Sequence, residues 1–308
     1  MELNKELLQG TVIALKANYI IVEIKYNKSL LSINNTKTPS NFIQLICTKR
    51  NRLAYKGYSI SVGDIVSVEE IDWVNCRGVI NSVEPRISLL NRPSIANFTD
   101  LFIVISLHEP LVEINQLSRF LIKAEEVSTH VYIILTKLDL VPKSITDDYT
   151  FRLSSWGYKT FPISIKIGDG IDQLLDKLRL VKLSVLCGPS GVGKSSLINY
   201  LIPGKSIPVG DLSKKLKRGK HTTRHVELFS LGQESFIADT PGFNKPDFDI
   251  NPHSLGRLFP EIRSQLKNKK CKFRDCLHLG EPGCIISRNW ERYDTYQNFV
   301  KEMINLHQ

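Results

Sequence analysis

The segment GPSGVGKS at residues 188–195 restricts the fold of this chain more than any other part of the sequence. It fills every fixed position of the pattern G-x-x-x-x-G-K-[ST], whose backbone N–H groups wrap around the phosphates of a nucleotide. The apolar run LSVLC precedes it and the run SSLINYL follows it, as a buried strand and a helix would. The segment therefore predicts a nucleotide site between a strand and a helix of a doubly wound α/β domain.

The positions of this phosphate loop have separate roles. The glycines let the backbone turn inward, and the N-terminus of the following helix adds a dipole that favours anions. Lys194 is expected to reach the β and γ phosphates, and the hydroxyl of Ser195 is expected to bind Mg²⁺. The candidate nucleotide-binding residues here are Gly188, Pro189, Ser190, Gly191, Val192, Gly193, Lys194, Ser195 and Ser196.

A second segment, Thr136-Lys137-Leu138-Asp139, indicates which base is bound. It follows an apolar strand-like run, and α/β sheets bind ligands at the carboxyl ends of their strands. A carboxylate at Asp139 accepts hydrogen bonds from both N1–H and the exocyclic amino group of guanine, whereas adenine offers no such pair of donors. Asp139 therefore favours GTP and argues against a P-loop kinase or ATPase, the alternative that the phosphate loop alone leaves open.

The surroundings of Asp139 extend this hypothesis. Lys137 is expected to lie along the face of the base. Thr136 stands where GTPases usually have Asn, so only a hydroxyl is available to tie this loop to the phosphate loop; nucleotide affinity is expected to depend on that difference more than base choice does. Further along, Ser164, Ile165 and Lys166 resemble the Ser-Ala-Lys loop that lies behind the guanine in GTPases.

Two more elements follow the phosphate loop. Asp239-Thr240-Pro241-Gly242 resembles the GTPase segment D-x-x-G, in which the carboxylate holds Mg²⁺ through water and the glycine N–H meets the γ phosphate. Between them lies KKLKRGKHTTRH, where Thr222 or Thr223 is the candidate switch threonine that closes over Mg²⁺. Taken alone, that segment is equally typical of a lysine-rich turn.

The order of these elements is unusual. The guanine-reading loop and its backing loop precede the phosphate loop, the switch threonine and D-x-x-G, which is a circular permutation of the common GTPase order. A parallel sheet tolerates this because the site depends on where the loops meet rather than on their order in the chain. The chain also passes directly from D-x-x-G into a cysteine-bearing region, so the nucleotide state can be transmitted to that region.

Hydrolysis is expected to be slow without a partner. Many GTPases place a glutamine directly after D-x-x-G to orient the attacking water, but this chain has Phe243 there. His221 is the candidate replacement, because an imidazole can orient or deprotonate water near neutral pH. The alternative is that His221 only contacts phosphate or RNA. The cations around it repel one another until RNA phosphates neutralise them: Lys214, Lys215, Lys217, Arg218 and Lys220.

The cysteine-bearing region predicts a metal site. Three thiols and one imidazole at Cys271, Cys276, His278 and Cys284 suit one tetrahedral Zn²⁺, and a closed set of four protein ligands suits a structural role. Lysines and arginines surround these ligands, which is typical of a surface that contacts RNA or phosphate. Cys47, Cys76 and Cys187 lie in strand-like segments and are expected in the core.

The remaining sequence predicts a multidomain α/β protein. Short alternating segments in residues 1–88 indicate an OB-fold barrel, residues 89–247 form the permuted GTPase domain, and residues 248–308 form a zinc-binding and helical domain. Basic residues with interleaved tyrosines at 49–58 are typical of an RNA-binding barrel and equally of an exposed basic loop with packing tyrosines. The formal net charge of +10 points to a polyanionic partner, although a solvated basic surface gives the same charge. The N-terminus lacks a signal peptide and no apolar run is long enough to span a bilayer, so a protein without a membrane partner is expected.

Together the barrel, the motifs GPSGVGKSS, GKHTT and DTPGF, and the segment CKFRDCLHLGEPGC resemble the RsgA (YjeQ) family of circularly permuted GTPases along nearly the whole chain. The resemblance implies slow GTP hydrolysis stimulated by the small ribosomal subunit, rRNA binding, late maturation of that subunit and release of ribosome-binding factor A. It also implies a monomer in the cytoplasm, or in the plastid stroma if the chain is of plastid origin. A GTP-gated RNA-binding module in which hydrolysis is incidental stays open as the alternative.

Overall fold

The computed structural model describes residues 7–25, 42–50, 53, 59–91, 94–128, 130–203, 226–232, 234–240 and 249–307. Internal contacts divide the chain into two compact units. The first holds the N-terminal barrel, a short hairpin and the strands that lead to Asp239. The second holds the phosphate loop, the guanine-reading loop and the C-terminal region. Within the described ranges, no helix is both long enough and apolar enough to cross a bilayer.

Five strands form the barrel: β1 (Leu8–Leu15), β2 (Ile20–Lys25), β3 (Phe42–Lys49), β4 (Ile65–Asp72) and β5 (Arg77–Val83). It closes in the order β1-β2-β3-β5-β4, and only β3 and β5 run parallel. Alternate side chains point inward, so Val12, Val22, Leu45 and Val68 are fully buried. The OB-like barrel predicted from the alternating pattern is confirmed.

Two details of the first unit differ from the sequence-based expectation. A short hairpin of β6 (Leu89–Asn91) and β7 (Ser94–Ala96) follows the barrel and was not expected. Cys76 was expected in the core but lies in the turn between β4 and β5, partly buried, with a φ of 50°. Cys47 is buried as expected, and burial raises the pKa of its thiol to about 12, so it stays protonated.

Six strands form the sheet of the α/β region: β8 (Asp100–Ser106), β9 (His130–Thr136), β10 (Lys159–Pro162), β11 (Leu183–Cys187), β12 (Leu228–Gly232) and β13 (Ser235–Asp239). Their order is β10-β9-β8-β11-β13-β12. β8, β9 and β10 are parallel, whereas β12 and β13 form an antiparallel pair. The described residues of this region include four helices: α1 (Ile114–Val127), α2 (Lys143–Ser155), α3 (Ile171–Arg179) and α4 (Lys194–Leu201).

The sequence explains these elements. Every residue of β8 and β11 is buried, as expected for parallel strands that are covered on both faces. In α1 the buried residues Leu117, Phe120, Leu121 and Ala124 repeat at helical spacing and form one apolar face. Apolar periodicity in the sequence predicts helices at residues 114–128, 146–156 and 171–180, and α1, α2 and α3 lie there with ends shifted by no more than three residues.

The C-terminal region shares a core with the α/β region of the second unit. It contains α5 (Pro252–Leu255), α6 (Pro260–Leu266) and α7 (Tyr293–Leu306), and the cysteine loop connects α6 to α7. Tyr296, Phe299, Val300 and Met303 on one face of α7 belong to a buried cluster that also includes Ile122 of α1. The cysteine-bearing region is therefore anchored to a helix of the GTPase fold by apolar packing.

A buried ion pair reinforces this anchoring. Arg292 is 1% exposed and its guanidinium donates to both carboxylate oxygens of Glu261, at 2.8 and 2.6 Å. The guanidinium carbon also lies 4.6 Å from the ring centre of Trp156, which follows α2. The next residue toward the N-terminus, Glu291, accepts a hydrogen bond of 2.9 Å from the Trp156 indole N–H. These contacts hold the chain after the cysteine loop against the end of α2.

Glu261→Gln is expected to lower the free energy of unfolding by about 3–5 kcal/mol, because it leaves the Arg292 charge buried with a weakened partner. The double variant Glu261→Leu/Arg292→Met is expected to lose less, since it removes both charges. Urea unfolding followed by tryptophan fluorescence measures both changes.

The matched control is Glu234→Gln, which removes one charge from the exposed pair of Lys25 and Glu234. Its effect is expected to stay within about 1 kcal/mol. Equal effects of Glu261→Gln and Glu234→Gln would contradict the structural importance of the buried pair.

Candidate functional site

The phosphate loop joins β11 to α4 and depends on three glycines with left-handed φ angles. These are Gly188, Gly191 and Gly193, with φ of 135°, 80° and 101°. At Gly188 a Cβ atom would also lie 2.2 Å from the carbonyl oxygen of Val104 on β8. A side chain at Gly188 is therefore excluded by both conformation and space, so the loop passes close against the sheet.

Lys194 lies across this loop. Its ammonium donates to the carbonyl oxygens of Gly188 at 2.8 Å and Pro189 at 2.6 Å. The residue begins α4, so the backbone N–H groups of the first turn and the lysine charge belong to the same concave loop. Ser195 and Ser196 follow in that first turn, and Ser190 and Gly191 are exposed at its rim. This arrangement suits an anion with several negative oxygens.

The guanine-reading loop is tied to the phosphate loop by a single side chain. Thr136, the buried last residue of β9, donates from Oγ1 to the carbonyl oxygen of Val192 at 2.6 Å. The carbonyl oxygen of Ile105 lies farther away, at 3.2 Å. A hydroxyl has one hydrogen, so the shorter contact is the stronger bond. Thr136 thus makes the connection for which GTPases usually have an asparagine, and the effect of that difference on nucleotide affinity stays a prediction.

The backing loop holds the carboxylate that is predicted to read the base. Ser164 is fully buried and its hydroxyl donates to Asp139 Oδ1 at 2.6 Å. This bond fixes the orientation of a carboxylate that is itself only partly buried. Asp139 Oδ2 is left to accept from a ligand, and a carboxylate oxygen has two lone pairs to offer.

The three loops converge at the carboxyl ends of β9, β10 and β11. Lys137 has a left-handed φ of 63° and its ammonium donates to the carbonyl oxygen of Glu109 in the loop after β8. Ile165 approaches the phosphate loop, since a Cβ atom on Gly193 would lie 3.7 Å from Ile165 Cδ1 and 4.0 Å from Thr136 Oγ1. Leu138 and Lys166 lie in the same two loops. The loops that the sequence places far apart therefore form one continuous site.

The switch elements are only partly within the described residues. Asp239 ends β13 and is partly buried, and Thr240 after it is buried. His221, Thr222, Thr223 and Gly242 lie outside the described ranges, so their assignments stay predictions.

The predicted metal ligands come together. One ligand atom from each of Cys271, Cys276, His278 and Cys284 lies within 4.8 Å of all the others. His278 Nδ1 is 3.6, 3.5 and 3.7 Å from the sulfurs of Cys271, Cys276 and Cys284. A tetrahedral ion with Zn–S of about 2.3 Å and Zn–N of about 2.1 Å separates nitrogen and sulfur by about 3.6 Å. The cluster therefore has the dimensions of a tetrahedral zinc site.

The protonation of the four candidate ligands is linked to the binding of a metal cation. Burial raises the pKa of the Cys276 thiol and lowers that of His278, so the cysteine needs a positive ion to hold it as thiolate while the imidazole is neutral and ready to bind. Glu281 organises the loop by accepting from the backbone N–H groups of Leu277 at 2.8 Å and Leu279 at 2.9 Å. Glu281 was not predicted from the sequence, although its place in GEPGC, between two candidate ligands, was the available signal.

The sequence was compared with known families and proteins. Residues 83–249 match the model of the RsgA GTPase family. A small ribosomal subunit biogenesis GTPase RsgA from Prochlorococcus marinus is 57% identical over 307 residues, which cover 100% of this chain and 99% of that one. The chain belongs to the RsgA GTPase family.

Solved structures agree with this membership. YjeQ from Thermotoga maritima superposes with a TM-score of 0.77 at 26% identity, covering 97% of this chain and 99% of that one. YloQ, described as a circularly permuted GTPase, superposes with a TM-score of 0.75 at 26% identity, covering 99% and 98%. The fold class predicted from the sequence, an RsgA-type barrel, permuted GTPase domain and cysteine-bearing region, is confirmed.

In this RsgA family member, Thr136→Val is expected to weaken binding of GTP and GDP alike by roughly fivefold, the equivalent of one lost hydrogen bond of about 1 kcal/mol. Thr136→Ser keeps the hydroxyl and is expected to bind as the parent does. Titration calorimetry with both nucleotides measures the change. Parental affinity in Thr136→Val would show that the bond to Val192 does not shape the site.

Proposed function

We propose that this chain is a GTP-hydrolysing enzyme that acts in the biogenesis of the small ribosomal subunit. The observation that carries the proposal is the hydrogen bond from Ser164 to Asp139. The loop that contains Asp139 is also joined to the phosphate loop, by the hydrogen bond from Thr136 to Val192. The bond from Ser164 orients a carboxylate toward the position where a base would lie, and a carboxylate selects guanine. Membership of the RsgA family and the name of its Prochlorococcus marinus relative support the same interpretation.

The nucleotide is held by its base and its phosphates. Thr136, Lys137, Leu138 and Asp139 face the base, with Ser164, Ile165 and Lys166 behind it. Residues 188–196 surround the phosphates, and Ser195 and Asp239 hold Mg²⁺, which neutralises the charge that develops on the transferred phosphoryl group. Thr222 or Thr223 closes over the ion, and Gly242 donates its N–H to the γ phosphate.

Catalysis depends on the small subunit. His221 orients the attacking water, because Phe243 has no group that can do so. The rRNA phosphates neutralise the lysine-rich segment around His221 and relieve the repulsion between its charges, so the subunit is both ligand and activator. Hydrolysis late in subunit maturation then accompanies the release of ribosome-binding factor A.

The other parts of the chain serve this cycle. Residues 1–88 form the RNA-binding barrel, 89–247 the permuted GTPase domain, and 248–308 a domain braced by one structural Zn²⁺ on Cys271, Cys276, His278 and Cys284. The net charge of +10 supports binding to rRNA. The protein works as a monomer in the cytoplasm, or in the plastid stroma if the chain is of plastid origin.

Asp139→Asn is expected to weaken GTP binding sharply and to favour xanthosine triphosphate, because an amide presents a donor where the carboxylate accepts. The matched control is Asp169→Asn, an exposed carboxylate in the backing loop. Competition between GTP, XTP and ATP measures the preference. Unchanged GTP affinity in Asp139→Asn would mean that another residue reads the base.

Cys276→Ala is expected to reduce the bound zinc well below one ion per chain and to weaken cosedimentation with small subunits, while GTP affinity stays within about twofold. Cys76→Ala removes a partly buried thiol outside the cluster and serves as control. Elemental analysis that finds no zinc in the parent purified without chelator would contradict the assignment.

Stimulation of hydrolysis tests the whole proposal. GTP turnover is expected to rise strongly with isolated small subunits and not with large ones. His221→Ala is expected to keep GTP and subunit binding but lose most of that stimulation, whereas His307→Ala, an exposed histidine in the C-terminal region, keeps it. Turnover unaffected by small subunits would refute the proposal; full stimulation in His221→Ala would refute only the role of His221.

A further inference from the structure

A cavity of about 430 Å³ opens beside the metal cluster, in the C-terminal region. One wall comes from α5 and the turn after it, another from the segment after α6, and Cys271, Cys276 and His278 line its base. Its volume lies within the range of pockets that hold small ligands. The phosphate loop and the guanine-reading loop contribute none of its lining residues, so it is separate from the nucleotide site.

The charged side chains that line this cavity are all basic. Its lining includes five cationic or basic side chains, and none of the described lining residues is acidic; the five are His253, Arg257, Lys269, Lys270 and Arg274. Apart from His253, these side chains are two lysines and two arginines, and no described carboxylate forms an ion pair with any of the four. By contrast, Arg263 and Arg292 in the same unit are paired with Glu125 and Glu261. Unpaired cations converging on one cavity favour an anionic occupant.

The cavity also offers an aromatic surface. Phe273 lines it, and the side chain is 50% exposed although it lies between two metal ligands in the sequence. An exposed phenyl ring beside basic groups is the combination with which proteins stack an unpaired base and hold its phosphate. Lys272 Nζ lies 5.4 Å from the centre of the ring and adds a further positive charge.

The walls are held in fixed positions. His253 Nδ1 donates to the carbonyl oxygen of Asp275 at 3.1 Å, which joins α5 to the cysteine loop. Gly256 lets the turn after α5 approach the metal ligand His278 closely, because a Cβ atom there would lie 3.0 Å from His278 Cδ2. With the metal ligands at its base, the cavity is preorganised for a ligand.

We propose that this cavity binds one unpaired nucleotide of an RNA chain, with the base stacked on Phe273 and its flanking phosphates on Arg257, Lys269, Lys270 and Arg274. The proposal rests on the function in small subunit biogenesis proposed above. It identifies an unpaired nucleotide as the part of the RNA that the zinc-bearing region would recognise. A base that is already unpaired costs little to extract from a helix, so such nucleotides are the preferred targets.

The test compares two RNA hairpins that differ by one unpaired nucleotide in the stem. Fluorescence anisotropy gives the affinity of the full-length, zinc-loaded protein for each, at one salt concentration and with each of the four bases at the unpaired position. The unpaired nucleotide is expected to improve the affinity by roughly 5- to 150-fold, the value of stacking one base on an aromatic side chain.

Phe273→Leu is expected to abolish that preference, and Phe273→Trp is expected to keep it. The matched control is Phe151→Leu, which changes a phenylalanine that is 78% exposed on α2 and does not line the cavity. Arg274→Gln is expected to reduce the preference, whereas Arg288→Gln, which changes an arginine outside the lining, lowers affinity for both hairpins equally. Zinc content and melting temperature show that each variant is folded.

Two outcomes would overturn the proposal. One is equal binding of both hairpins by the parent; the other is a preference that survives in Phe273→Leu. Binding of labelled nucleoside monophosphates that depends on Phe273, without a preference between the hairpins, would assign the cavity to a free nucleotide and likewise refute the RNA assignment. Cosedimentation with small subunits distinguishes failure of the cavity proposal from failure of the proposed function. If the parent protein does not bind small subunits, only the proposed function is contradicted.

Discussion

The nucleotide site depends on a hydrogen bond between residues 56 positions apart, from the Thr136 hydroxyl to the carbonyl oxygen of Val192. It joins the loop that reads the base to the loop that holds the phosphates, at the edge of the sheet where β9 and β11 end. Because this is a tertiary contact, it can form whichever of the two loops comes first in the chain. The permuted order therefore leaves the geometry of the site intact while it places a different segment, the cysteine-bearing region, after the second switch.

The C-terminal region is attached to the GTPase fold through more than chain connectivity. The permutation suggested that the region follows the second switch directly and receives the nucleotide state from it. The structure adds apolar packing between α7 and Ile122, and the buried pair of Arg292 and Glu261 beside Trp156. Since Trp156 follows α2, which itself follows the loop predicted to read guanine, the cysteine-bearing region is anchored beside that part of the GTPase fold.

Motifs with fixed spacing were predictable from the sequence, and contacts made by variable residues were not. GPSGVGKS and the four metal ligands each require particular residue types at particular positions, so their loops could be placed before any coordinates. Buried strands could be placed as well, because runs such as β8 and β11 are mostly apolar. The hydrogen bond from Thr136 to Val192 and the ion pair of Arg292 with Glu261 correspond to no local sequence pattern, because tertiary packing determines which residues meet. The position of Cys76 in a turn was mispredicted for a related reason: a left-handed φ at a residue other than glycine leaves no trace in composition.

The central claim is that three loops separated in the chain form one guanine-nucleotide site. Hydrogen–deuterium exchange with and without nucleotide tests it directly, through peptides that cover residues 134–140, 163–168 and 187–196. The account predicts that GDP with Mg²⁺ slows exchange in all three peptides over the same range of concentrations, and that ADP does so in none. Protection of residues 187–196 by both nucleotides, with residues 134–140 and 163–168 unchanged, would contradict it.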